Sequence, residues 1–513
     1  MTPTKGKSTP LFIALIVWAS CLNAAAARTE QPNIVIILAD DMGYGDLGCY
    51  NPDSRIPTPN LDRIAREGLR FTDAHSASAV CTPSRYALLT GRYCWRTPLK
   101  YSVLFNFEPP LIEPGRTTIA SMLKRRDYRT AMIGKWHLGL DFSARPGREI
   151  DFNQPLPWQS GPEPDRGVAE SVDFSQPATG GPEDLGFDEA FYTGGCSTDQ
   201  QPYCFIENRK FLNMERATYR RPERSIRSGM TSPDWRNDRV DLEFAARAET
   251  FLKRAARQPG PFFLYLALSS PHSPHFVPKE AEGKSAAGWR GDLVWLVDSI
   301  VGRIDRALRQ SGAADNTLLI ATSDNGPLAG SLKPSQREGA ARPDHGHKSA
   351  GDLRGFKARI HEGGHRVPFL IRWPGRTPRG AVSDALIGQN DLLATLAAAT
   401  RNPLAPGEGE DSFNLLPVLL GRRLDQEKRP PLIQHAGRAA FALREGPWKL
   451  ILQRPIRGNV NHPWNVRGEL YNLAVDPGET RDLWEQQPSR AARMSRLLQA
   501  IEAGRASVQR AAN

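Results

Sequence analysis

The chain has 513 residues, of which 40% are hydrophobic and 24% are charged, an ordinary composition for a globular protein. This length suits two or three domains and allows a large buried core. The formal net charge of +11 favours anionic partners, although an arginine-rich composition explains it equally well. None of the usual nucleic-acid-binding motifs is present, so nucleic acid is excluded as an expected partner.

Residues 1–27 have the pattern of a signal peptide. Lys5 and Lys7 form a basic start, residues 11–18 form an apolar run, and residues 24–27 are small alanines suited to cleavage. The apolar run is too short for a permanent membrane span, and no later segment reaches the roughly 20 apolar residues that a span requires. We therefore expect an exported protein, periplasmic or secreted.

Four short apolar segments are each followed directly by reactive polar side chains. They are residues 33–38 before Asp40 and Asp41, residues 130–133 before Lys135 and His137, residues 262–268 before His272, and residues 317–322 before Asp324 and Asn325. Such continuous apolar segments are typical of central strands covered on both faces, and open α/β sheets bind ligands beyond the carboxyl ends of their strands. The pattern predicts an α/β fold with one crevice that collects these side chains.

Helical patterns lie between the predicted strands. Apolar residues recur at helical spacing over residues 293–308, and Gly312 suits the end of that helix. Another helix begins at Asn60, and a third follows Cys81 and ends at Gly91. Cys81 is therefore expected near a helix N-terminus, which is a favourable place for an anion.

The pattern changes towards the C-terminus. After about residue 430 the chain forms short strand-like segments and then a polar helix over residues 489–503. We therefore predict a large domain over residues 28–425 and a smaller α+β domain over residues 426–513, with a short antiparallel sheet and a helix. Residues 141–185 and 331–349 are expected to be long surface segments near the crevice.

The most specific motif is Cys-x-Pro-Ser-Arg-x-x-x-Leu-Thr-Gly-Arg over residues 81–92. It resembles the signature of type I sulfatases, members of the alkaline phosphatase superfamily. In that family a formylglycine-generating enzyme oxidises the cysteine to formylglycine, an aldehyde whose hydrate is the nucleophile. The resemblance implies an alkaline-phosphatase-like fold with a large mixed, mostly parallel sheet flanked by helices, and makes residues 28–425 the sulfatase catalytic domain. The alternative for Cys81 is a buried structural cysteine.

Asp40, Asp41, Asp324 and Asn325 form an all-oxygen set. Hard cations such as Ca²⁺ or Mg²⁺ take these ligands, whereas softer metals prefer cysteine or several histidines. The resemblance implies one Ca²⁺ per chain, with residue 81 as a further ligand. By themselves, the two adjacent aspartates also suit a turn after a strand.

Further catalytic residues follow from position and from the resemblance: Arg85, Lys135, His137, His272 and Lys357. Arg85 lies about one helical turn after Cys81 and so can face the same side. Lys135 and His137 share a glycine-flanked motif. His275 competes with His272, and the family pattern favours His272.

The resemblance also implies a mechanism. One hydroxyl of the hydrated aldehyde attacks sulfur, while Lys135, Lys357 and His272 balance the charge of the sulfuryl oxygens. His272 protonates the leaving alcohol, and His137 deprotonates the second hydroxyl so that sulfate is expelled.

The predicted function is hydrolysis of a sulfate ester of a sulfated carbohydrate. Trp95, Trp136, Tyr203 and Trp289 are candidates to stack on sugar rings, and the basic residues 337–348 suit a polyanion. Two alternatives stay open: a phosphate or phosphonate monoester hydrolase of the same superfamily, and an inactive exported glycan-binding relative.

Six cysteines are present, and Cys21 leaves with the signal peptide. In an oxidising compartment Cys196 and Cys204 are the best-placed disulfide pair, because they lie close together in one loop-like segment. The alternative is that the cysteines other than Cys81 are free buried thiols. The sequence does not assign the pairing of Cys49 and Cys94.

Overall fold

The computed structural model of the chain describes residues 31–151, 166–222, 227–328, 344–425, 428–437, 440–453, 468–504 and 507. The signal peptide predicted at residues 1–27 and most of the basic segment predicted at residues 337–348 lie outside the described residues. Both stay predictions.

The described residues form eighteen strands and ten α-helices joined by loops. The strands in chain order are β1 (Asn33–Ala39), β2 (Leu69–Phe71), β3 (Ala74–His75), β4 (Arg129–Lys135), β5 (Glu189–Thr193), β6 (Ile206–Glu207), β7 (Lys210–Phe211), β8 (Thr218–Arg220), β9 (Gly229–Thr231), β10 (Phe262–Ala267), β11 (Thr317–Ser323), β12 (Phe369–Arg372), β13 (Ala381–Ser383), β14 (Ile387–Gly388), β15 (Leu432–His435), β16 (Ala440–Glu445), β17 (Trp448–Gln453) and β18 (Glu469–Asn472). The α-helices are α1 (Pro59–Glu67), α2 (Cys81–Thr90), α3 (Ile119–Lys124), α4 (Arg166–Ser171), α5 (Val240–Ala255), α6 (Gly288–Gln310), α7 (Glu362–His365), α8 (Leu392–Ala399), α9 (Leu416–Leu419) and α10 (Pro488–Glu502).

The main sheet has ten strands in the order β13-β2-β12-β11-β1-β10-β4-β5-β6-β7. Its centre, β11-β1-β10-β4-β5, is parallel throughout, whereas β12, β6 and β7 are antiparallel to their neighbours. The four predicted strands are therefore adjacent members of one sheet, and their carboxyl ends share one edge. The predicted large, mixed and mostly parallel sheet is confirmed.

The continuous apolar sequence of β1 follows from its position at the centre of the sheet. Ile34, Ile36 and Leu38 pack into one hydrophobic cluster, and the alternate residues Val35 and Ile37 pack into another on the opposite face. A strand covered on both faces must be apolar at every position, because successive side chains point to opposite sides.

A smaller antiparallel sheet, β15-β16-β17-β18, lies near the C-terminus, as predicted for residues 426–513. Met494 and Leu498 of α10 pack on it together with Trp95, which belongs to the segment after α2. The exact boundary at residue 426 stays a prediction. In the described part of the chain, none of the helices has the length and apolar character needed to cross a bilayer.

Candidate active site

The predicted reactive side chains meet at the carboxyl edge of the parallel strands. Asp40 follows β1, Asp324 follows β11, and Lys135 is the last residue of β4. The chain segments beyond the strands are joined by backbone bonds: the Asp40 amide donates to the Ser270 carbonyl at 3.0 Å, and the Asp324 amide donates to the Ala39 carbonyl at 3.0 Å. The strand-end rule therefore predicted correctly that these side chains lie close together.

Cys81 is the first residue of α2 and is 1% exposed. Its Sγ lies 3.3 Å from Asp40 Oδ1 and 3.5 Å from Lys357 Nζ. Burial raises the pKa of the Cys81 thiol well above its usual value, and the nearby carboxylates of Asp324 and Asp40 raise it further. The unmodified residue is therefore a neutral thiol and a poor nucleophile at neutral pH.

Asp41, Asp324 and Asn325 form a compact oxygen-rich group next to Cys81. Asn325 Nδ2 donates to Asp41 Oδ1 at 2.7 Å, and the Asp41 amide donates to Asp324 Oδ1 at 3.2 Å. The side-chain oxygen of Asn325 is buried and has no hydrogen-bond partner among the described residues. An orphaned buried acceptor beside several carboxylates fits a hard cation such as Ca²⁺.

A second, overlapping set of possible metal ligands includes a histidine. Asp40, Asp41, Cys81 and His272 each offer one potential ligand atom, and these atoms all lie within 4.8 Å of one another. His272 is thus close to the predicted metal ligands, although it was predicted as a proton donor.

Each of the three buried carboxylates has its own cationic partner. Lys135 Nζ donates to Asp40 Oδ2 at 2.6 Å, and Lys357 Nζ donates to both oxygens of Asp41 at 2.7 and 2.8 Å. Burial by itself raises the pKa of Asp40, but Lys135 and other cationic groups hold it well below its usual value. Matched charges of this kind make a buried cluster of carboxylates tolerable.

Arg85 is the third of these cations and lies fully buried on α2. Its Nε and Nη2 donate to Asp324 Oδ2 at 3.0 and 2.8 Å, and its Nη1 donates to the Lys135 carbonyl at 2.9 Å. Burial and the charge of Asp40 raise the pKa of Asp324 to about 7, and Arg85 opposes this rise. Arg85 therefore connects α2 with two of the strand ends.

His137 is buried in the loop after β4, with a φ of 57°. Its Nε2 lies 2.9 Å from the Leu104 carbonyl, so this nitrogen carries the proton, and Nδ1 has no hydrogen-bond partner among the described residues. Burial and the charges of Lys135 and Arg85 lower the pKa of His137 well below its usual value. A neutral imidazole with a free lone pair is suited to accept a proton.

His272 and its predicted rival His275 differ in what they contact. His272 lines the same cavity as Cys81, and its Nε2 lies 3.8 Å from Asp41 Oδ2. His275 is buried and is not among the residues that line this cavity. Burial lowers the pKa of His272 to about 4. The geometry therefore favours His272 over His275.

The cavity has a volume of about 260 Å³ and opens over Cys81. Its lining also includes residues that the sequence analysis did not assign to the site: Phe105, Cys196, Asp199, Gln200 and Arg227. Cys196 and Asp199 follow β5, another parallel strand of the main sheet. Applied to β5, the strand-end rule would have found them.

The predicted Cys196–Cys204 disulfide is wrong, because both thiols are free and buried. Cys196 Sγ lies in the active site, 3.4 Å from Lys135 Nζ and 3.5 Å from His272 Nδ1. Cys204 instead packs in a hydrophobic cluster. The short sequence separation of the two cysteines therefore did not indicate that their side chains point to different parts of the structure.

Three of the four aromatic residues predicted to stack on sugar rings are part of the core. Trp95, Trp136 and Tyr203 are buried to 4%, 1% and 0% exposure. Trp289 is half-buried on α6 and is not among the lining residues of the cavity. The predicted stacking role is therefore wrong for the three buried residues and is not supported for Trp289.

A supporting layer behind Asp41 was also missed. Arg290 of α6 donates to the Asp41 carbonyl at 3.0 Å and to Asp46 Oδ2 at 2.6 Å. His347 Nε2 lies 2.9 Å from Asp46 Oδ1. This buried network fixes the backbone of a residue whose φ of 69° is unusual for a non-glycine residue.

Comparisons with known proteins identify the family of the chain. The sulfatase family model matches residues 32–402. The chain is similar to an N-acetylgalactosamine-6-O-sulfatase from Bacteroides thetaiotaomicron, with 30% identity over 93% of this chain and 94% of the relative. It is also similar to human arylsulfatase A, with 35% identity over 90% of this chain and 85% of the relative.

A solved sulfatase structure from work on glycosaminoglycan metabolism by Bacteroides thetaiotaomicron has the same fold. It superposes with a TM-score of 0.76 at 28% identity and covers 92% of this chain and 100% of that chain. The family model spans well over half of the chain, and these relatives are named as sulfuric ester hydrolases. The chain therefore belongs to the sulfatase family, within the alkaline phosphatase superfamily.

Proposed function

We propose that this protein is an exported sulfatase that hydrolyses a sulfate ester of a sulfated carbohydrate, with formylglycine at position 81 and one bound Ca²⁺. The observation that carries the proposal is the position of Cys81. It begins a buried helix and contacts both Asp40 and Lys357, at the base of a cavity open to a ligand. The similarity to an N-acetylgalactosamine-6-O-sulfatase supports a saccharide substrate.

Asp40, Asp41, Asp324 and Asn325 would hold the Ca²⁺, and residue 81 lies beside them. The ion would supply a positive centre for an oxygen of the sulfate group, and the hydrated aldehyde would supply the nucleophile. The formylglycine-generating enzyme is the maturation partner that this proposal requires.

Lys135 and Lys357 would bind the sulfate group from two sides. Both ammonium groups are buried, and the pKa of each is raised above its usual value because, against the effect of burial, nearby carboxylates favour the charged form. They therefore stay positive at neutral pH. Fixed charges in a site with little water stabilise negative charge that develops on the sulfuryl oxygens.

The two histidines would divide the proton transfers. His272 lines the cavity beside Cys81; its lowered pKa leaves it neutral in the free site, and the negative charge of a bound sulfate ester would favour the protonated form that gives a proton to the leaving alcohol. His137 offers its unpartnered Nδ1 as a base, because Nε2 is engaged with the Leu104 carbonyl. Arg85 touches Asp324 and the Lys135 backbone, so it positions both sides of the site.

The proposal is tested by mass spectrometry of the peptide that contains residue 81, together with turnover of an aryl sulfate. Active protein should carry an aldehyde in place of the Cys81 thiol. Cys81→Ala should lower kcat by about a thousandfold or more, since the nucleophile is lost. The matched control is Cys94→Ala, another buried cysteine that is not among the lining residues of the cavity. Full activity in protein with an unmodified cysteine at position 81 would contradict the mechanism.

A further inference from the structure

We propose that Asp199 and Arg227 form the subsite that recognises the sugar ring of the substrate; this inference rests on the proposed sulfatase function. Both residues line the cavity that contains Cys81, His272 and Lys357. Among the described residues, neither Asp199 nor Arg227 forms a hydrogen bond with a predicted metal ligand. Their place in the cavity therefore calls for a role other than the chemical step.

Asp199 has one satisfied and one unsatisfied oxygen. Its Oδ2 accepts from Arg227 Nη1 at 2.6 Å, while its Oδ1 is buried and receives no hydrogen bond from any described residue. The residue is 8% exposed. Leaving a buried carboxylate oxygen without a donor costs free energy, and in a residue that lines a cavity a bound ligand can supply the missing donor.

Arg227 presents unused donors beside that oxygen. Its Nη1 donates to the Asp199 carbonyl at 3.2 Å and to Oδ2, whereas its Nε and Nη2 make no hydrogen bond with the described residues. Its side chain is 28% exposed. Tyr203 fixes the backbone of Arg227 by donating from its hydroxyl to the Arg227 carbonyl at 3.0 Å. The guanidinium is therefore held in place and still has free donors.

An acceptor next to several donors is the pattern that a sugar ring requires. A hydroxyl of the ring can donate to the carboxylate of Asp199, whose side chain is 12% exposed, while a neighbouring ring oxygen or hydroxyl accepts from Arg227. Phe105 also lines the cavity, with its ring centre 5.7 Å from the Arg227 guanidinium carbon, and offers an apolar surface to the C–H face of the ring. A simple aryl sulfate has no hydroxyl groups to satisfy Asp199.

The test measures kcat/KM of each variant on two substrates: an aryl sulfate and the sulfated monosaccharide that the wild-type enzyme hydrolyses best. Asp199→Asn removes the charged acceptor with little change in shape. We expect kcat/KM to fall by about 10- to 100-fold on the saccharide and by less than about threefold on the aryl sulfate. Arg227→Lys keeps the charge but loses the planar fork, so the same pattern with about a tenfold loss is expected.

The matched control is Arg209→Lys, since Arg209 forms an ion pair with Asp184 at 2.7 Å and neither residue lines the cavity. This variant should have the wild-type kcat/KM on both substrates. If Asp199→Asn does not fold, as judged by thermal unfolding, the more exposed Arg227→Lys gives the same comparison.

Four results would overturn the inference. If a variant loses kcat/KM equally on both substrates, Asp199 and Arg227 support the general structure of the site. If kcat/KM on the saccharide is unchanged, the two residues do not recognise the sugar. If the wild-type protein hydrolyses the aryl sulfate but none of the sulfated saccharides, the sugar subsite is rejected while the proposed sulfatase activity still stands. Wild-type protein that carries the aldehyde and hydrolyses neither substrate would instead reject the proposed function, and the inference with it.

Discussion

Lys357 donates hydrogen bonds to both carboxylate oxygens of Asp41, with its Nζ 2.7 Å from Oδ1 and 2.8 Å from Oδ2. The same ammonium lies 3.5 Å from Cys81 Sγ. One side chain therefore joins a predicted metal ligand to the predicted nucleophile. Binding of a cation by Asp41 and binding of a sulfate group by Lys357 are coupled, because both act on the same pair of charges.

Calcium should stabilise the folded protein. A ligand that binds the folded state alone raises the free energy of unfolding by about 2.7 kcal/mol at a free concentration one hundred times Kd. We therefore expect Ca²⁺ to raise the melting temperature of chelator-treated protein and to restore turnover better than Zn²⁺. Asp41→Asn should abolish the rise in melting temperature.

The control for calcium is Asp238→Asn, because Asp238 pairs with Arg236 at the surface. Its protein should respond to Ca²⁺ as wild type does. A chelator that changes neither the melting temperature nor the turnover would refute the metal assignment.

Removal of Arg85 should destabilise the protein strongly. Arg85→Met leaves Asp324 buried without its two-nitrogen partner, and breaking a buried ion pair in this way costs about 3–5 kcal/mol. Urea unfolding with Ca²⁺ present measures the loss. The surface variant Arg209→Met should cost less than about 1 kcal/mol, because its pair with Asp184 is partly exposed to solvent. Similar losses for both variants would mean that Arg85 does not hold the site together.

A second buried ion cluster joins the C-terminal sheet to the Lys357 segment. Lys449 of β17 lies 3.0 Å from Glu362 Oε1 and 2.8 Å from Glu479 Oε1, and all three side chains are fully buried. Burial by itself raises the pKa of Glu362, but Lys449 and other cationic groups hold it well below its usual value. Glu362 begins α7, five residues after Lys357, so this cluster supports the segment that carries Lys357.

Lys449→Met should therefore lower stability in a pH-dependent way. A carboxylate with a depressed pKa contributes stability that is present above its unfolded pKa and is lost as the pH falls. The difference in unfolding free energy between wild type and variant should be about 3 kcal/mol near neutral pH and should shrink below about pH 4. Lys348→Met, which removes an exposed pair with Asp352, serves as control. A difference that does not change with pH would exclude Glu362 as the group responsible.

The sequence predicted well which polar side chains meet at one edge of the sheet, because a strand covered on both faces must be apolar until it ends. The change from the apolar segment of β1 to Asp40 therefore marks the edge of the sheet. For the same reason, Asp324 and Lys135 stand where the apolar segments of β11 and β4 end. The role of His272 rather than His275 depended on a resemblance, since both histidines lie in one proline-rich segment.

The sequence failed where the direction of a side chain depends on tertiary packing. Cys196 and Cys204 are close in sequence, but one contacts Lys135 and the other lies in the core. Trp136 stands between Lys135 and His137, two predicted catalytic residues, and is nevertheless buried, with its indole nitrogen donating to the Gly139 carbonyl at 3.0 Å. The pair of Asp199 and Arg227 was missed because β9 and the loop after β5 come together only in the folded chain.

The enzyme should prefer sulfate esters to phosphate esters. A sulfate monoester carries one negative charge, whereas a phosphate monoester carries nearly two above its second pKa of about 6. Among the described residues, the second group that could hold a metal is His75, Glu362 and His365, and none of these lines the cavity. The described part of this site therefore has no second group of three or more such ligands that could hold a metal to balance the extra charge.

The measurement is kcat/KM on a matched aryl sulfate and aryl phosphate across the pH range from 5 to 8. The sulfate should be favoured by at least about tenfold at neutral pH, which corresponds to about 1.4 kcal/mol of transition-state stabilisation. The preference should narrow below about pH 6, because the phosphate then becomes a monoanion. A methyl aryl phosphate diester, which is a monoanion throughout, serves as control and should not show this narrowing. Higher kcat/KM on the phosphate at neutral pH would favour the phosphohydrolase alternative, because the site would then accept a dianion without the compensating charge that such a substrate requires.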